Sequence, residues 1–118
     1  MIRALAFVSA LVPMGATAQQ AVSQPGAELR VLDKVTGQVA DVAIQVGDAA
    51  VSGLVMIQLN DCRVPADNPS GDAFAEMSVT YGDDATPVFS GWMVASAPAL
   101  NAMDHPRYDV WVIRCTAA

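Results

Sequence analysis

The chain has 118 residues, enough for one domain. Apolar residues make up 53% and charged residues only 15%, which excludes a disordered or low-complexity protein. Six basic against twelve acidic side chains leave a net charge of −6, which argues against a sequence-independent nucleic-acid binder and against docking on an anionic membrane surface.

Residues 1–18 have the three parts of a secretory signal peptide. Arg3 supplies the positive start, residues 4–12 the apolar run, and Pro13 and Gly15 break the helix. Ala16-Thr17-Ala18 places small side chains where signal peptidase needs them, so the expected cut lies between Ala18 and Gln19. The run is too short to span a bilayer, which takes about 20 apolar residues. No later run reaches that length, so no transmembrane helix is expected after cleavage. The expected mature chain is a periplasmic domain carrying 5 basic and 12 acidic residues.

Residues 19–27 are small and polar, contain Pro25-Gly26, and read as a flexible lead-in to a single β domain over 28–118. From Glu28 the pattern turns to short runs of period two. Residues 29–35 form the first, and Thr36-Gly37 is a two-residue hairpin signal. Ala40, Val42, Ile44 and Val46 share one face of the returning strand, with Asp41 and Gln45 on the other. Residues 51–59 are apolar almost throughout and read as one central strand, with Val55, Ile57 and Leu59 on one face.

Residues 63–72 contain Pro65, Pro69, Ser70 and Gly71 and read as a loop. In residues 73–81, Met77, Val79 and Tyr81 alternate with Glu76, Ser78 and Thr80, and Gly82-Asp83-Asp84 turns the chain. Residues 87–95 form the next strand. Residues 96–103 read as one short helix with Ser96 as N-cap and Pro98 in its first turn, stopped at His105-Pro106. Residues 108–115 are the last strand, with Trp111, Ile113 and Cys115 on the core face and Tyr108, Val110 and Val112 on the other. The expected fold is all-β and mainly antiparallel: a small sandwich or barrel of five to six strands, one short helix and one disulfide.

Cys62 and Cys115 are the only cysteines, and an isolated pair in an oxidising compartment forms a disulfide. A redox pair would want Cys-x-x-Cys spacing, and one His with two Cys makes a poor zinc set. Unbroken alternation along 51–62 puts Cys62 on the face of Met56 and Gln58, so a bulge near Asn60-Asp61 is expected if both sulfurs line one core.

Three groups of residues are candidates for chemistry. His105 is the only imidazole, with Asp104, Asp109 and Ser96 nearby in sequence, but nothing resembles a nucleophile elbow, and a turn into the last strand explains it. Asp67, Asn68, Ser70 and Asp72 place oxygens in one loop, but the spacing does not match a calcium loop and reads as a solvated turn. The third group is aromatic. Trp92 follows Gly91, and a glycine in a strand marks a bulge or a close approach. Trp92, Met93, Tyr108 and His105 form the candidate binding surface. No cofactor or metal is called for.

The stretch from Phe89 to Val112 contains Ser90-Gly91-Trp92-Met93 and His105-Pro106-Arg107-Tyr108-Asp109. It resembles the signature of a secreted alphaproteobacterial family catalogued as domain of unknown function 2155. Arg30-Val31-Leu32-Asp33-Lys34-Val35-Thr36-Gly37 resembles its opening strand and turn, and Cys62-Arg63 and Cys115 fall where its paired cysteines do. Val94, Ala97, Met103-Asp104 and Arg114 depart from the pattern, and Arg114 reverses a charge beside Cys115. The resemblance implies a periplasmic protein and no particular catalytic residues. It also implies an association, without a mechanism, with an accessory subunit of respiratory complex I.

These readings converge on a non-enzymatic module that binds a protein partner in the cell envelope, such as a respiratory-complex component. The first alternative is a carbohydrate-binding module that stacks Trp92 or Tyr108 on sugar rings. The second is a small hydrolase that uses His105.

Overall fold

The computed structural model describes residue 6 and residues 20–117. The expected signal peptide and the cut at Ala18/Gln19 lie outside them. Eight strands and one turn of 3₁₀ helix follow in order: β1 (Ala21–Ser23), β2 (Gly26–Asp33), β3 (Val39–Gln45), β4 (Ala49–Ser52), β5 (Val55–Pro65), β6 (Phe74–Tyr81), β7 (Phe89–Val94), the 3₁₀ turn (Pro98–Asn101) and β8 (Tyr108–Thr116). All pairings are antiparallel. One sheet runs β1-β5-β6-β7, with β4 also paired to β5, and the other runs β3-β2-β8. The result is the expected sandwich with more strands than expected.

Period-two patterning explains the core. β5 buries Val55, Ile57 and Leu59, and β6 buries Ala75, Met77 and Val79. Facing them, β2 contributes Ala27, Leu29 and Val31, and β8 contributes Tyr108, Val110 and Val112. Each side chain removed from water contributes roughly 1.5–3 kcal/mol if large. β3 lies at the edge of the smaller sheet, so only Ile44 of its alternating set is fully buried and Ala40 is exposed.

Two register shifts place the sulfurs. The β5–β6 ladder skips a residue between Leu59 and Asp61, and the β2–β8 ladder does so between Val112 and Arg114, opposite Leu29 and Glu28. Each extra residue reverses the alternation that follows it. Cys62 thereby joins the inward face of Ile57 and Leu59, and Cys115 comes opposite the buried Ala27. The two sulfurs are bonded, with Cα atoms 5.7 Å apart, and the bond joins one sheet to the other. The bulge expected near Asn60-Asp61 is present.

The second bulge corrects the reading of β8. Counting parity back from Cys115 crosses the irregularity at Ile113 and assigns the wrong face. Tyr108, Val110 and Val112 point inward, while Trp111 and Ile113 are only partly buried.

Other boundaries also differ from expectation. The lead-in 19–27 is structured where described: β1 pairs with Arg63–Pro65, and Gly26 and Ala27 begin β2. The apolar run 51–59 is split into β4 and β5 by a tight turn at Gly53-Leu54, with Ser52 paired to Val55. Gly53 has φ +58°, the positive value that the first central residue of a II′ hairpin turn requires. The expected loop 63–72 starts later, because β5 runs to Pro65. The β2–β3 connection spans five residues, not two. Asp33 closes it by accepting N–H bonds from Val35 and Thr36 on its carboxylate and from Gly37 on its carbonyl.

The expected helix 96–103 shrinks to Pro98–Asn101 with no side-chain cap. Ser96 donates its hydroxyl to Asp72 at 2.7 Å instead of capping. Asn101 donates to the Trp92 carbonyl at 2.7 Å, covering part of the β7 edge.

Reducing the disulfide should lower stability by about 4 kcal/mol on the chain-entropy account, a melting-temperature fall on the order of 15 °C. Thermal melts with and without reductant check this, and an unchanged midpoint after complete reduction would contradict the bond. A second outcome concerns Gly53, where an added Cβ would lie 2.5 Å from the buried Tyr108 Oη. Gly53→Ala should destabilise by about 2 kcal/mol or more, and Gly37→Ala, whose Cβ meets nothing within 4 Å, by about 1 kcal/mol. Denaturant titration of the two variants separates clash from backbone strain.

Candidate functional site

Two clusters of chemically active side chains stand at opposite ends of the sandwich. The first lies at the disulfide end, on the outer face of the five-stranded sheet. Alternation after the β5 bulge turns Arg63 outward, and alternation in β7 turns Trp92 outward. In register, Trp92 lies beside Glu76, and Arg63 lies beside Phe74, which neighbours Val94. Arg63 reaches diagonally over β6, so that its guanidinium carbon sits 5.2 Å from the Trp92 ring centroid. Asp61 holds Arg63 with an ion pair of 2.7 Å, and Ser23 of β1 donates to the same carboxylate at 3.1 Å. Trp92 remains 36% exposed, so the pair presents a half-open indole face stiffened by a cation.

Gly91 explains how β7 carries this group. Its φ is +147°, and a Cβ there would press on the Asn101 amide at 3.3 Å. The close approach expected at this glycine is therefore made by the chain's own Asn101.

The second cluster gathers where β2 ends and β8 begins. Asp33 is buried and takes two hydrogen bonds from Arg107, at 3.1 and 3.4 Å. The Arg107 hydrogen bonds hold the Asp33 carboxyl below its ordinary value, against burial, with the Val35 and Thr36 amides adding to the effect. The Arg107 guanidinium also covers the Tyr108 ring at 5.4 Å, and Tyr108 Oη accepts the Leu54 N–H at 3.2 Å. His105 packs on Tyr81 with ring centroids 4.5 Å apart. Its Nδ1 accepts N–H bonds from Arg107 and Tyr108, both at 3.1 Å.

The candidate surface of Trp92, Met93, Tyr108 and His105 is therefore not one surface. Met93 and Tyr108 are both 3% exposed and belong to the core, because their positions alternate inward with Phe89 and Val110. Burial of Tyr108 leaves Trp92 as the one of these two aromatics with a face open to stack on a sugar. His105 is half-buried among tyrosines, and its Nδ1 is occupied by backbone donors where a hydrolase would need an orienting acid. Ser96 is committed to Asp72.

Asp72 likewise serves the fold. Burial pushes its carboxyl up, but hydrogen bonds from the Ser96 hydroxyl and the Ala73 and Ser96 amides together bring it below its ordinary value. Among the described residues, no three His, Cys, Asp or Glu side chains are grouped to hold a metal.

Sequence reading missed Arg63, Asp33 and Arg107. For Asp33 a signal was present, since Asp-x-x-Thr/Gly turns favour a carboxylate that bonds the following amides. Arg63 carries no such local signal, because its partnership with Trp92 spans three strands.

The sequence matches, over residues 27–115, the family described as "Uncharacterized protein conserved in bacteria (DUF2155)". The chain belongs to this family. An uncharacterized protein of Rickettsia prowazekii (strain Madrid E) is similar to it, with 29% identity over 87 residues, 71% of this chain and 56% of the relative. The chain thus spans little more than half the length of that curated relative. No solved structure matches it. The matched span of the DUF2155 family member contains both cysteines, Trp92 and the Asp33–Arg107 pair.

Asp33 also sets an expected pH response. A carboxyl whose folded value is lowered contributes stability above its unfolded range, and this is lost as pH falls through the folded value. Stability should therefore decline as pH drops below about 3.8, the ordinary value for this group. Asp33→Asn should make that decline shallower, read as denaturation midpoints between neutral pH and pH 2. An equally steep acid limb in the variant would show that Asp33 contributes nothing to it.

Proposed function

We propose that this member of the DUF2155 family is an exported, periplasmic, non-enzymatic module that binds another protein of the cell envelope. The observation that carries this reading is the exposed Trp92 indole braced by Arg63 on the outer face of the five-stranded sheet. Tryptophan and arginine are the residue types most enriched at interface centres, and here both stand on strands rather than on a loop. The acidic balance, −6 over the chain, suits a partner with a basic surface. A respiratory-complex component remains the partner class proposed.

The test is crosslinking in native envelopes followed by recovery of the tagged protein. Wild type and Val51→Ala, an exposed position elsewhere on the same sheet, should recover one stoichiometric partner, and Trp92→Ala should lose it. Equal recovery by Trp92→Ala, or no stoichiometric partner with any of the three, would overturn the reading.

A further inference from the structure

The smaller sheet ends on β8, which pairs with β2 on one side only. Among the described residues, no turn or loop backbone bonds to residues 109–116. Among the described residues, the preceding crossover flanks this edge without a backbone bond to it. A groove of about 350 Å³ separates Asp109, Val110 and Trp111 from Pro98 and Ala102, and one of about 710 Å³ lies beside Ile113 and Cys115. Two other edges, β7 and β3, are less open. Asn101 caps the Trp92 carbonyl on β7, and β3 packs against β4.

The outer face of β8 carries Asp109, Trp111 and Arg114. Their spacing along the strand is symmetric, although their numbers are not. Asp109 stands opposite Leu32, Trp111 opposite Arg30 and Arg114 opposite Glu28. Measured on β2, each charge is therefore two positions from Trp111, because the bulge at Ile113 absorbs the extra residue. The edge is an aromatic centre with an acid on one side and a base at equal distance on the other. Arg114 has an in-chain partner, Glu28 at 3.4 Å, yet its side chain is 65% exposed.

Such a pattern is complementary to itself. We propose that β8 is a self-association edge: two copies pair β8 against β8, antiparallel, about a two-fold axis at Trp111. Asp109 of each copy then stands across from Arg114 of the other, and two three-stranded sheets become one sheet of six. Antiparallel pairing about a two-fold axis perpendicular to the sheet keeps outer faces together, so all four charges lie on one side. A net charge of −6 on each copy opposes association, so the local pairs and the backbone ladder must overcome it. The contact is one strand wide and belongs to the weak, small class of interfaces. This inference stands apart from the partner-binding face, which is on the other sheet.

Sedimentation velocity of the purified, disulfide-bonded protein tests it, over concentrations from about 1 to about 300 µM, the range in which small interfaces associate. Wild type should shift from monomer to dimer. Arg114→Asp and Asp109→Arg should each weaken the dimer about tenfold, and the double reversal Asp109→Arg/Arg114→Asp should restore it. Glu28→Gln, which removes only the in-chain partner, should leave the dimer intact. Melting curves establish that each variant is folded. A monomer at every concentration, a dimer indifferent to the single reversals, a folded double variant that stays monomeric, or loss of the dimer in Glu28→Gln would each overturn the proposal. Binding of an unrelated peptide strand by a strictly monomeric protein would do so as well.

Discussion

The Cys62–Cys115 bond requires two sulfurs from different sheets to face the same interior. Plain alternation in β5 and β8 would turn both outward, since each lies an odd number of positions beyond the inward set of its strand. Each strand solves the problem with one inserted residue, at Asn60 and at Ile113. A small domain gains much from such a bond, because its core alone buries limited surface. The bulges thus belong with the disulfide, and they also set what each strand shows to solvent.

On β5 the shift brings Arg63 to the outer face, where Asp61 and Ser23 steady it beside Trp92. On β8 it makes Asp109 and Arg114 equidistant from Trp111. The same local irregularity therefore does two things on each strand. It turns a sulfur inward and arranges a charged, aromatic outer face. At the far end the constraint is different. Asp33 and Arg107 tie the first hairpin to the start of β8, and Tyr108 fits against Gly53 with no room for another carbon. His105 belongs to this tie and not to a catalytic centre, because two backbone amides already occupy its Nδ1.

Much of this was legible in residue order. The alternation Met77-Val79 against Glu76-Ser78-Thr80 is a local property and survives folding unchanged. The bulge in β5 could be inferred because two facts, the face of Met56 and the need to pair Cys62, were in conflict. The faces of β8 could not be read the same way, since its bulge lies between the cysteine and the residues whose faces were counted from it. Trp111 and Tyr108 exchanged places for that reason alone. Met93 and Tyr108 lie in the distinctive stretch from which a binding surface is expected, yet their parity places them inside.

By itself, residue order determined the class of fold, the cysteine pairing and the strands whose alternation is unbroken. These depend on period-two patterning and on there being two sulfurs to pair, which are properties of the chain read along its length. Tertiary structure decided the split at Gly53, the commitment of Ser96 to Asp72, the meeting of Arg63 with Trp92 and the symmetry about Trp111. Each depends on which strand lies beside which and in what register, and register is fixed by cross-strand hydrogen bonds and by packing between residues far apart in the chain.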